Sequence, residues 1–578
     1  MLCRRWECAL AVVHHPGHRL QGFCDRDSST TCGVGRRLEV RSTLVPRVTR
    51  RRLLYEAAAG SLAGASLSWE QVLAAPLGGD LVIATAADGE PASLDGQVDP
   101  YTNAFLFDSF VSDPLVVLSP SGKFLPGLAS QWTTSTDGRL WTFTIRAGVT
   151  FQDGTTCDAE AVRFNIERVM NPDTHSALMA SDLGQANFLR AEAVGGNQVR
   201  LIYGEPFPGL LSGMSIFPIW SPAAVKQYGA SFQQHLVGEG AFRLTSWVRG
   251  DHVAFAKNPN YQGGVTVQKH QGAAYLDSIT VKFVGDPGVL GEILKTGEVN
   301  MVMGLPAQAL ANYANNPKYR LATGFQPGNG LMFTMNTARA PLDDLRVRQA
   351  LRHAYDQHKM NQTLYNGTYV EVYGPLTKYS LYYWKGAETS YRYDPAKAQA
   401  LLDAAGWKVN AQSGIREREG KPLALVMVML HHREIGEYLA AQLRAIGVDL
   451  RIDVVPGPVQ LQRAQNGDFN LMYERLRTLE PDILFSEFYS KNERPGGWAW
   501  SRFHNAQLDD VLLKTQGTGD PQLRAQYFLE AQKLLTEFAV CLPTLDDPQF
   551  FVMNGNVKGF QLGATGAWFF ANDMYVEH

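Results

Sequence analysis

The sequence predicts an α/β protein whose sheets are covered by helices, and three observations support this. Strand-like and helix-like segments alternate along the whole body of the chain. Residues 423–430, 433–446 and 448–455 form one strand–helix–strand unit, with Gly447 as the helix cap, and right-handed crossovers place such strands in parallel. The composition is 45% hydrophobic and 19% charged, which supplies enough apolar material for buried cores and excludes wholesale disorder.

Local patterns predict the individual elements. Leu140–Ile145 alternates in polarity, as a half-buried strand does. Residues 158–170 are predicted to be a helix, with Asp158 as its cap. A further helix is predicted over 346–358, and another begins at Asp394 and ends before Gly406.

Residues 48–76 are typical of an export signal. Arginines at 50–52 precede an apolar, small-residue stretch at 57–67 and a small-residue cleavage site at 72–74, which is the order of a signal peptide. The paired arginines before two leucines resemble a twin-arginine signal. The alternative is an ordinary first helix with a basic end.

Two further expectations concern this end of the chain. Ala65 stands where a lipoprotein signal has its lipidated cysteine, so we expect no lipid anchor and a free periplasmic protein. Residues 1–47 lie upstream of the basic stretch where a signal peptide should begin. We interpret them as an extension created by a misplaced translation start.

Charge and motif content exclude several classes of function. The formal net charge is −3, whereas nucleic-acid binding needs a clustered basic surface. No nucleophile elbow, phosphate-binding loop or zinc motif occurs, so we predict no catalytic residues, no metal and no cofactor. His431 and His432 with two nearby glutamates come nearest to a metal cluster, and we interpret them as solvated loop residues. The body has only Cys157 and Cys541, and whether they pair stays open.

Several stretches in a shared order resemble the peptide/nickel (dipeptide/oligopeptide-binding) family of extracellular solute-binding proteins, which serve ABC importers. They include SPSGKFLPGLA at 119–129, RAGVTF at 146–151, VGEGAFRL at 237–244, NPNY at 258–261, VRQAL at 347–351 and YDPAKA at 393–398. The resemblance covers roughly residues 78–560 and implies a two-lobed periplasmic-binding-protein fold with a hinge and an extra domain inserted in the first lobe. The implied first lobe is 77–118, 236–328 and 539–578, the inserted domain is 119–235, and the second lobe is 329–538.

The resemblance also implies where the ligand is held. Peptide binders of this family hold the peptide's amino terminus with an aspartate shortly before an acidic-Pro pair, and Arg477 stands at that position here. An arginine suits a carboxylate or phosphate instead. We therefore expect Arg477 or Arg475 to contact an acidic group of the ligand, with Glu474 as an acceptor for an amine. The alternative is a salt bridge of these arginines with Glu480 or Asp482.

Five other residues complete the predicted site. Trp498 and Trp500 offer rings for an apolar or planar ligand, or they pack in the core. Asn336 donates to the ligand or caps a turn. Tyr101 and Asn103 follow the first strand and are expected near the cleft.

The expected function is to capture a short peptide or amino-acid derivative and deliver it to the permease subunits of an ABC importer, as a monomer. An opine-like acid, a metal chelate or an oligosaccharide remains an alternative ligand. An exported hydrolase, or a sensor or chaperone on the same fold, is an alternative function.

Overall fold

The computed structural model describes residues 77–98, 102–119, 122–195, 197–263, 265–476, 478, 480–494 and 497–577. The predicted export signal and the segment before it lie outside these residues. Within them, helices and strands alternate as the sequence predicts.

A seven-stranded mixed sheet, the large sheet, gathers strands from distant parts of the chain. Asp80–Ala86 pairs in parallel with both of its neighbours, and the remaining pairs are antiparallel. Leu81 and Ile83 lie in one hydrophobic core and Ala84 in another, because a central strand is buried on both faces. The order across the sheet is Tyr319–Gly324, Gln549–Asn554, Met301–Met303, Asp80–Ala86, Ser278–Val284, His252–Lys257 and Phe242–Val248.

A second, four-stranded antiparallel sheet lies within the predicted inserted domain. Its order is Ala129–Thr134, Leu140–Ile145, Gln198–Tyr203 and Phe188–Val194. Helix Ala159–Met170 buries its apolar stripe in the same core. The Asp158 carboxylate accepts hydrogen bonds from the backbone N–H of Glu160 and Ala161, each at 3.0 Å, so the predicted strand, helix and cap are confirmed.

The small sheet has five strands, in the order Asp449–Val454, Ala424–Met429, Leu471–Glu474, Met332–Met335 and Cys541–Pro543. Its first two strands are parallel and are joined by helix Arg433–Arg444. Gly447 has a φ of 84°, a left-handed conformation that glycine adopts without strain. The predicted strand–helix–strand unit is therefore confirmed.

One predicted helix is in fact two. Residues 346–358 were expected to form a single helix, but Leu345–His353 ends and Gln357–Tyr365 begins within that range. Asp356 accepts a hydrogen bond from the backbone N–H of Lys359 at 2.9 Å, and this N-cap starts the second helix. The helix predicted from Asp394 is confirmed as Pro395–Ala404.

The remaining elements cover the sheets or pair as short ribbons. The other α-helices are Thr102–Val111, Ala177–Asp182, Leu210–Met214, Pro222–Tyr228, Leu290–Thr296, Ala311–Ala314, Ala387–Ser390, Gly457–Asn466, Ile483–Phe488, Ala506–Gln516 and Pro521–Glu537. The short strands are Val116–Leu118 with Phe124–Pro126, Val370–Glu371 with Leu545–Asp546, Val557–Lys558 with Tyr575–Val576, Gln561–Leu562 with Phe569–Phe570, and the trio Lys408–Val409, Arg416–Arg418 and Lys421–Pro422.

Two chain segments cross between the large and small sheets. The first crossing is 325–331 and the second is 544–548. They run side by side, because Leu331 N–H donates to the Leu545 carbonyl at 2.7 Å and Thr544 N–H donates to the Leu331 carbonyl at 3.0 Å. The predicted first lobe includes residues 539–578, but strand Cys541–Pro543 lies in the small sheet. The chain returns to the large sheet only after Pro543. The other predicted domain boundaries stay a prediction.

The two cysteines of the body do not pair. Cys157 and Cys541 are both free and buried. Cys157 lies in the core beside the four-stranded sheet, and Cys541 lies in a core of the small sheet.

Candidate ligand-binding site

A charged cluster lies where the small sheet meets the second crossing. Arg475 follows strand Leu471–Glu474 and forms an ion pair with Asp547 of the crossing. Its side chain is 20% exposed, burial lowers its pKa, and its Nε has no hydrogen-bond partner among the described residues. Beside it, Asp546 is buried and its Oδ2 is also without a described partner. Burial raises the pKa of Asp546, and Arg475 opposes that rise.

Three tyrosines flank this cluster. The rings of Tyr365 and Tyr369 stack with centroids 3.7 Å apart and an interplanar angle of 2°. Burial raises the pKa of Tyr369 and of Tyr473 to about 12, and the nearby Arg475 charge opposes both rises. A flat aromatic surface next to a guanidinium is a favourable place for an apolar or planar part of a ligand.

The histidine pair borders the same cluster and reaches toward the large sheet. The Glu434 carboxylate accepts the Tyr365 hydroxyl at 2.5 Å and lies 3.3 Å from His432 Nδ1. The His432 contact lowers the pKa of Glu434 to about 2. Burial lowers the pKa of His431, and so do the nearby His432 and Arg475. Asp88, in the turn after strand Asp80–Ala86, opposes this change. The cluster therefore lies beside strand ends of both sheets, where open α/β sheets place ligands.

Within the described residues, these groups do not form a metal centre. No group of three or more His, Cys, Asp or Glu side chains there has the arrangement needed to hold a metal ion. His432 Nδ1 contacts the Glu434 carboxylate, and the centroids of the His432 and Tyr473 rings are 6.5 Å apart. His432 is therefore part of the cluster and not only a solvated loop residue.

Glu474 faces the other side of its strand. It accepts the Thr334 hydroxyl and lies near Glu487, to which the Asn329 amide donates at 2.8 Å. Burial raises the pKa of both carboxyls. Because successive strand residues alternate in direction, the structure does not bring Glu474 together with Arg475.

The two tryptophans stack on each other. Their ring centroids are 5.0 Å apart, with an interplanar angle of 18°. Trp500 is 7% exposed and packs with Phe469 and Met472, whereas Trp498 is 41% exposed. Trp500 therefore belongs to the core, and of the two rings only that of Trp498 is exposed enough to contact a ligand.

The remaining predicted residues fall into two groups. The Asn336 amide donates to the carbonyls of Gly467 and Phe469 at 3.1 and 3.3 Å, and its side-chain oxygen accepts the backbone N–H of Ala338 at 3.2 Å, which caps a turn. Arg477 and Tyr101 lie outside the described residues, as does the side chain of Asn103, although its backbone belongs to helix Thr102–Val111. A ligand contact by any of the eight predicted residues stays a prediction.

The acidic-Pro pair has a different partner from the one considered in the sequence. Glu480 and Asp482 both pair with Arg524, each at 2.6 Å. Glu480 also accepts the Ser212 hydroxyl at 2.8 Å, which links it to the inserted region. The salt-bridge alternative therefore does not apply to Arg475, whose partner is Asp547.

Sequence reasoning missed the residues that surround Arg475. Asp546 and Asp547 are adjacent, but Tyr369 and Tyr473 lie far from them and from each other in the chain, and none of the four belongs to a motif. The available signal was positional: Tyr473 lies near the end of one strand and His431 follows another strand of the same sheet, and parallel strand ends meet at one edge.

Two crossing segments join the large and small sheets, and a buried charged cluster lies at the junction. This arrangement is that of a hinged ligand-binding protein. Residues 123–495 match the family described as bacterial extracellular solute-binding proteins, family 5 Middle. The chain belongs to this family, whose members bind solutes for ABC importers. Among the described residues, no helix is both long and apolar enough to cross a bilayer.

Individual proteins show the same similarity. The nickel-binding periplasmic protein of Escherichia coli (strain K12) is 28% identical over 396 residues, which are 66% of this chain and 73% of that protein. The glutathione-binding protein of Salmonella paratyphi A (strain ATCC 9150 / SARB42) is 27% identical over 439 residues, 75% of this chain and 82% of that protein. The structure of NikA from Brucella suis in complex with Fe(III)-EDTA has a TM-score of 0.75 at 24% identity and covers 86% of this chain and 100% of that one.

Proposed function

We propose that this chain is a periplasmic, non-catalytic binding protein that captures a short peptide or amino-acid derivative carrying a carboxylate and delivers it to an importer. The observation that carries the proposal is Arg475, a largely buried guanidinium at the lobe junction with an unused Nε donor. A planar guanidinium binds a carboxylate through two parallel hydrogen bonds. Its present partner, Asp547, belongs to the second crossing.

The surroundings favour an amino-acid-derived ligand over the other candidates. A ligand carboxylate would compete with Asp547 for Arg475, and the stacked Tyr365 and Tyr369 would cover an adjacent side chain. Similarity to nickel- and glutathione-binding proteins agrees with this, because glutathione is a short peptide with free carboxylates. Opine-like acids and carboxylate chelates use the same chemistry, whereas a neutral oligosaccharide has no anion that could compete with Asp547 for Arg475.

Ligand competition for Arg475 would also couple binding to movement. Asp547 lies in one of the two segments that join the sheets, so the loss of its ion pair with Arg475 would change the contacts that hold this segment. A ligand that prefers the closed arrangement shifts the population toward it.

Native mass spectrometry of the protein purified from the periplasm tests the proposal. We expect a co-purified ligand that contains a carboxylate and is released unchanged. The Arg475→Ala variant should bind this ligand about 10- to 160-fold more weakly, because a hydrogen bond to a charged group contributes about 1.5–3 kcal/mol. Arg451→Ala is the matched control, since its side chain is 67% exposed on the same lobe.

The outcomes separate the alternatives. Undiminished binding by Arg475→Ala would rule out the role of Arg475. Chemical conversion of the bound compound would favour the exported hydrolase instead.

We infer further that residues 48–76 direct export through the twin-arginine route and that the mature protein is a monomer without a lipid anchor. The basic and apolar order of the segment supports the export route, and Ala65 in place of a lipidated cysteine supports the absence of an anchor. Replacing both Arg51 and Arg52 by lysine should retain the precursor in the cytoplasm. Mass spectrometry of the native protein would contradict the start-site interpretation if it found a peptide from residues 1–47.

A further inference from the structure

A cavity of about 260 Å³ lies in the second half of the chain and shares no lining residue with the Arg475 cluster. Three lining side chains, Arg352, Tyr355 and Gln357, donate hydrogen bonds to main-chain carbonyls of residues 541, 543 and 544 respectively. These bonds hold the floor of the cavity against the strand that leads into the second crossing. The cavity is therefore preformed, as small-molecule sites usually are.

The floor carries a buried positive charge. Arg352 is 5% exposed, and its two terminal nitrogens donate to the carbonyls of Cys541 and Tyr373 at 3.1 and 2.7 Å. Its Nε has no described hydrogen-bond partner, and no carboxylate forms an ion pair with it among the described residues. The Tyr391 ring, 4.4 Å from the guanidinium carbon, compensates part of the charge. A buried cation without an anion favours the entry of one.

Carboxylates and tyrosine rings line much of the rest of the cavity, together with His358 and Arg392. Glu371 is 21% exposed and accepts hydrogen bonds from His358 and from Tyr373. Glu388 also lies near Tyr373. Burial is the largest cause of the raised pKa of the Tyr373 phenol, and the charges of Glu371 and Glu388 raise it further. The exposed Tyr393 borders the same space. Carboxylates beside aromatic rings are a favourable environment for an organic cation.

The size of the cavity limits the ligand. Pockets for drug-sized ligands measure about 300–1,000 Å³, so about 260 Å³ suits a molecule of the size of one amino acid. Arg352 on the floor and the carboxylates of Glu371 and Glu388 in the same lining match a molecule that carries an anion and a separate cation.

We propose that this cavity is a second binding site, for a free basic amino acid, whose α-carboxylate contacts Arg352 while its cationic side chain lies between Glu371 and Glu388. The site goes beyond the proposed cleft ligand, because none of the cleft residues lines it. A basic amino acid supplies an anion for Arg352 and a cation for the two carboxylates, and its methylene chain packs against the tyrosine rings.

Saturation-transfer NMR and calorimetry with three related probes test the proposal on the purified protein. L-Arginine carries both charges, agmatine lacks the carboxylate, and L-norleucine lacks the cationic side chain. We expect saturable L-arginine binding at millimolar concentration or tighter, and binding at least about tenfold weaker for each of the other probes. Because the probes differ and the protein does not, this comparison requires no variant.

Two variants locate the site. Glu388→Gln should bind L-arginine at least about tenfold more weakly, with an unchanged melting temperature to show that it folds, whereas Arg451→Ala, whose side chain is 67% exposed, should bind it as the parent does. No L-arginine binding, equal binding of agmatine, equal binding of L-norleucine, or undiminished binding by Glu388→Gln would each overturn the proposal.

Discussion

Arg524 holds together two acidic side chains that would otherwise repel each other. Its side chain is 4% exposed, and it pairs with Glu480 and Asp482, which are 12% and 25% exposed. We predict that Arg524→Met lowers the free energy of unfolding by about 3 kcal/mol, the lower end of the cost of removing one partner from a buried ion pair. The lower end applies because Asp482 is partly solvated.

The loss should depend on pH in a defined direction. Burial raises the pKa of Glu480 even though the Arg524 charge opposes it, and without Arg524 the pKa rises further. The folded variant then holds a proton that the unfolded chain, with a glutamate pKa of about 4.3, releases. Stability of the variant therefore falls as pH rises from about 4.3 through the raised pKa of the folded state, so its deficit is smaller at about pH 5 than at about pH 8.

Urea unfolding followed by tryptophan fluorescence measures both effects. Adding Glu480→Gln to Arg524→Met should recover at least about 1 kcal/mol, because the substitution removes one of the two uncompensated carboxylates. Arg451→Met, with a side chain that is 67% exposed, is the control and should change stability by less than about 0.5 kcal/mol. A deficit for Arg524→Met below about 1 kcal/mol, or one that is equal at the two pH values, would refute the reasoning.

Three further predictions concern packing, titration and backbone space. Trp500→Ala should cost about 3–5 kcal/mol in urea unfolding and Trp498→Ala less than about 1 kcal/mol, because the side chains are 7% and 41% exposed. Burial raises the pKa of Asp113 to about 6, so stability should fall as pH rises from about 4 to about 6, and Asp113→Asn should flatten that slope in melting scans. Gly324→Ala would place its Cβ 1.8 Å from a backbone oxygen and should prevent soluble expression, whereas Gly285→Ala, with no atom within 4 Å, should express normally.

Elements whose signals are local could be predicted from the sequence. The caps at Asp158 and Asp394 involve backbone groups two or three residues away, and the strand–helix–strand unit ending at Val454 follows from periodicity. Even here a short signal was missed, because the Asp356 cap divides a segment whose apolar pattern runs on without interruption.

The candidate site shows where such reasoning ends. The place of Arg475 near the acidic-Pro pair makes it a candidate from the sequence, yet its partner lies 72 residues away in the second crossing. The alternative pairing with Glu480 was reasonable by proximity in sequence, but Arg524, from a separate helix, takes both acids.

The sequence by itself determined the α/β class, the order of most elements and the family, because periodicity, caps and ordered motifs are properties of neighbouring residues. The tertiary structure alone decided which charges are buried and which are paired. In the folded protein Asp547 pairs with Arg475, and Cys157 and Cys541 lie in separate cores. Arg352 lies at the floor of a cavity without a described carboxylate partner. Burial and pairing depend on which distant strands become neighbours. The number of residues between two positions does not give their distance in the folded protein.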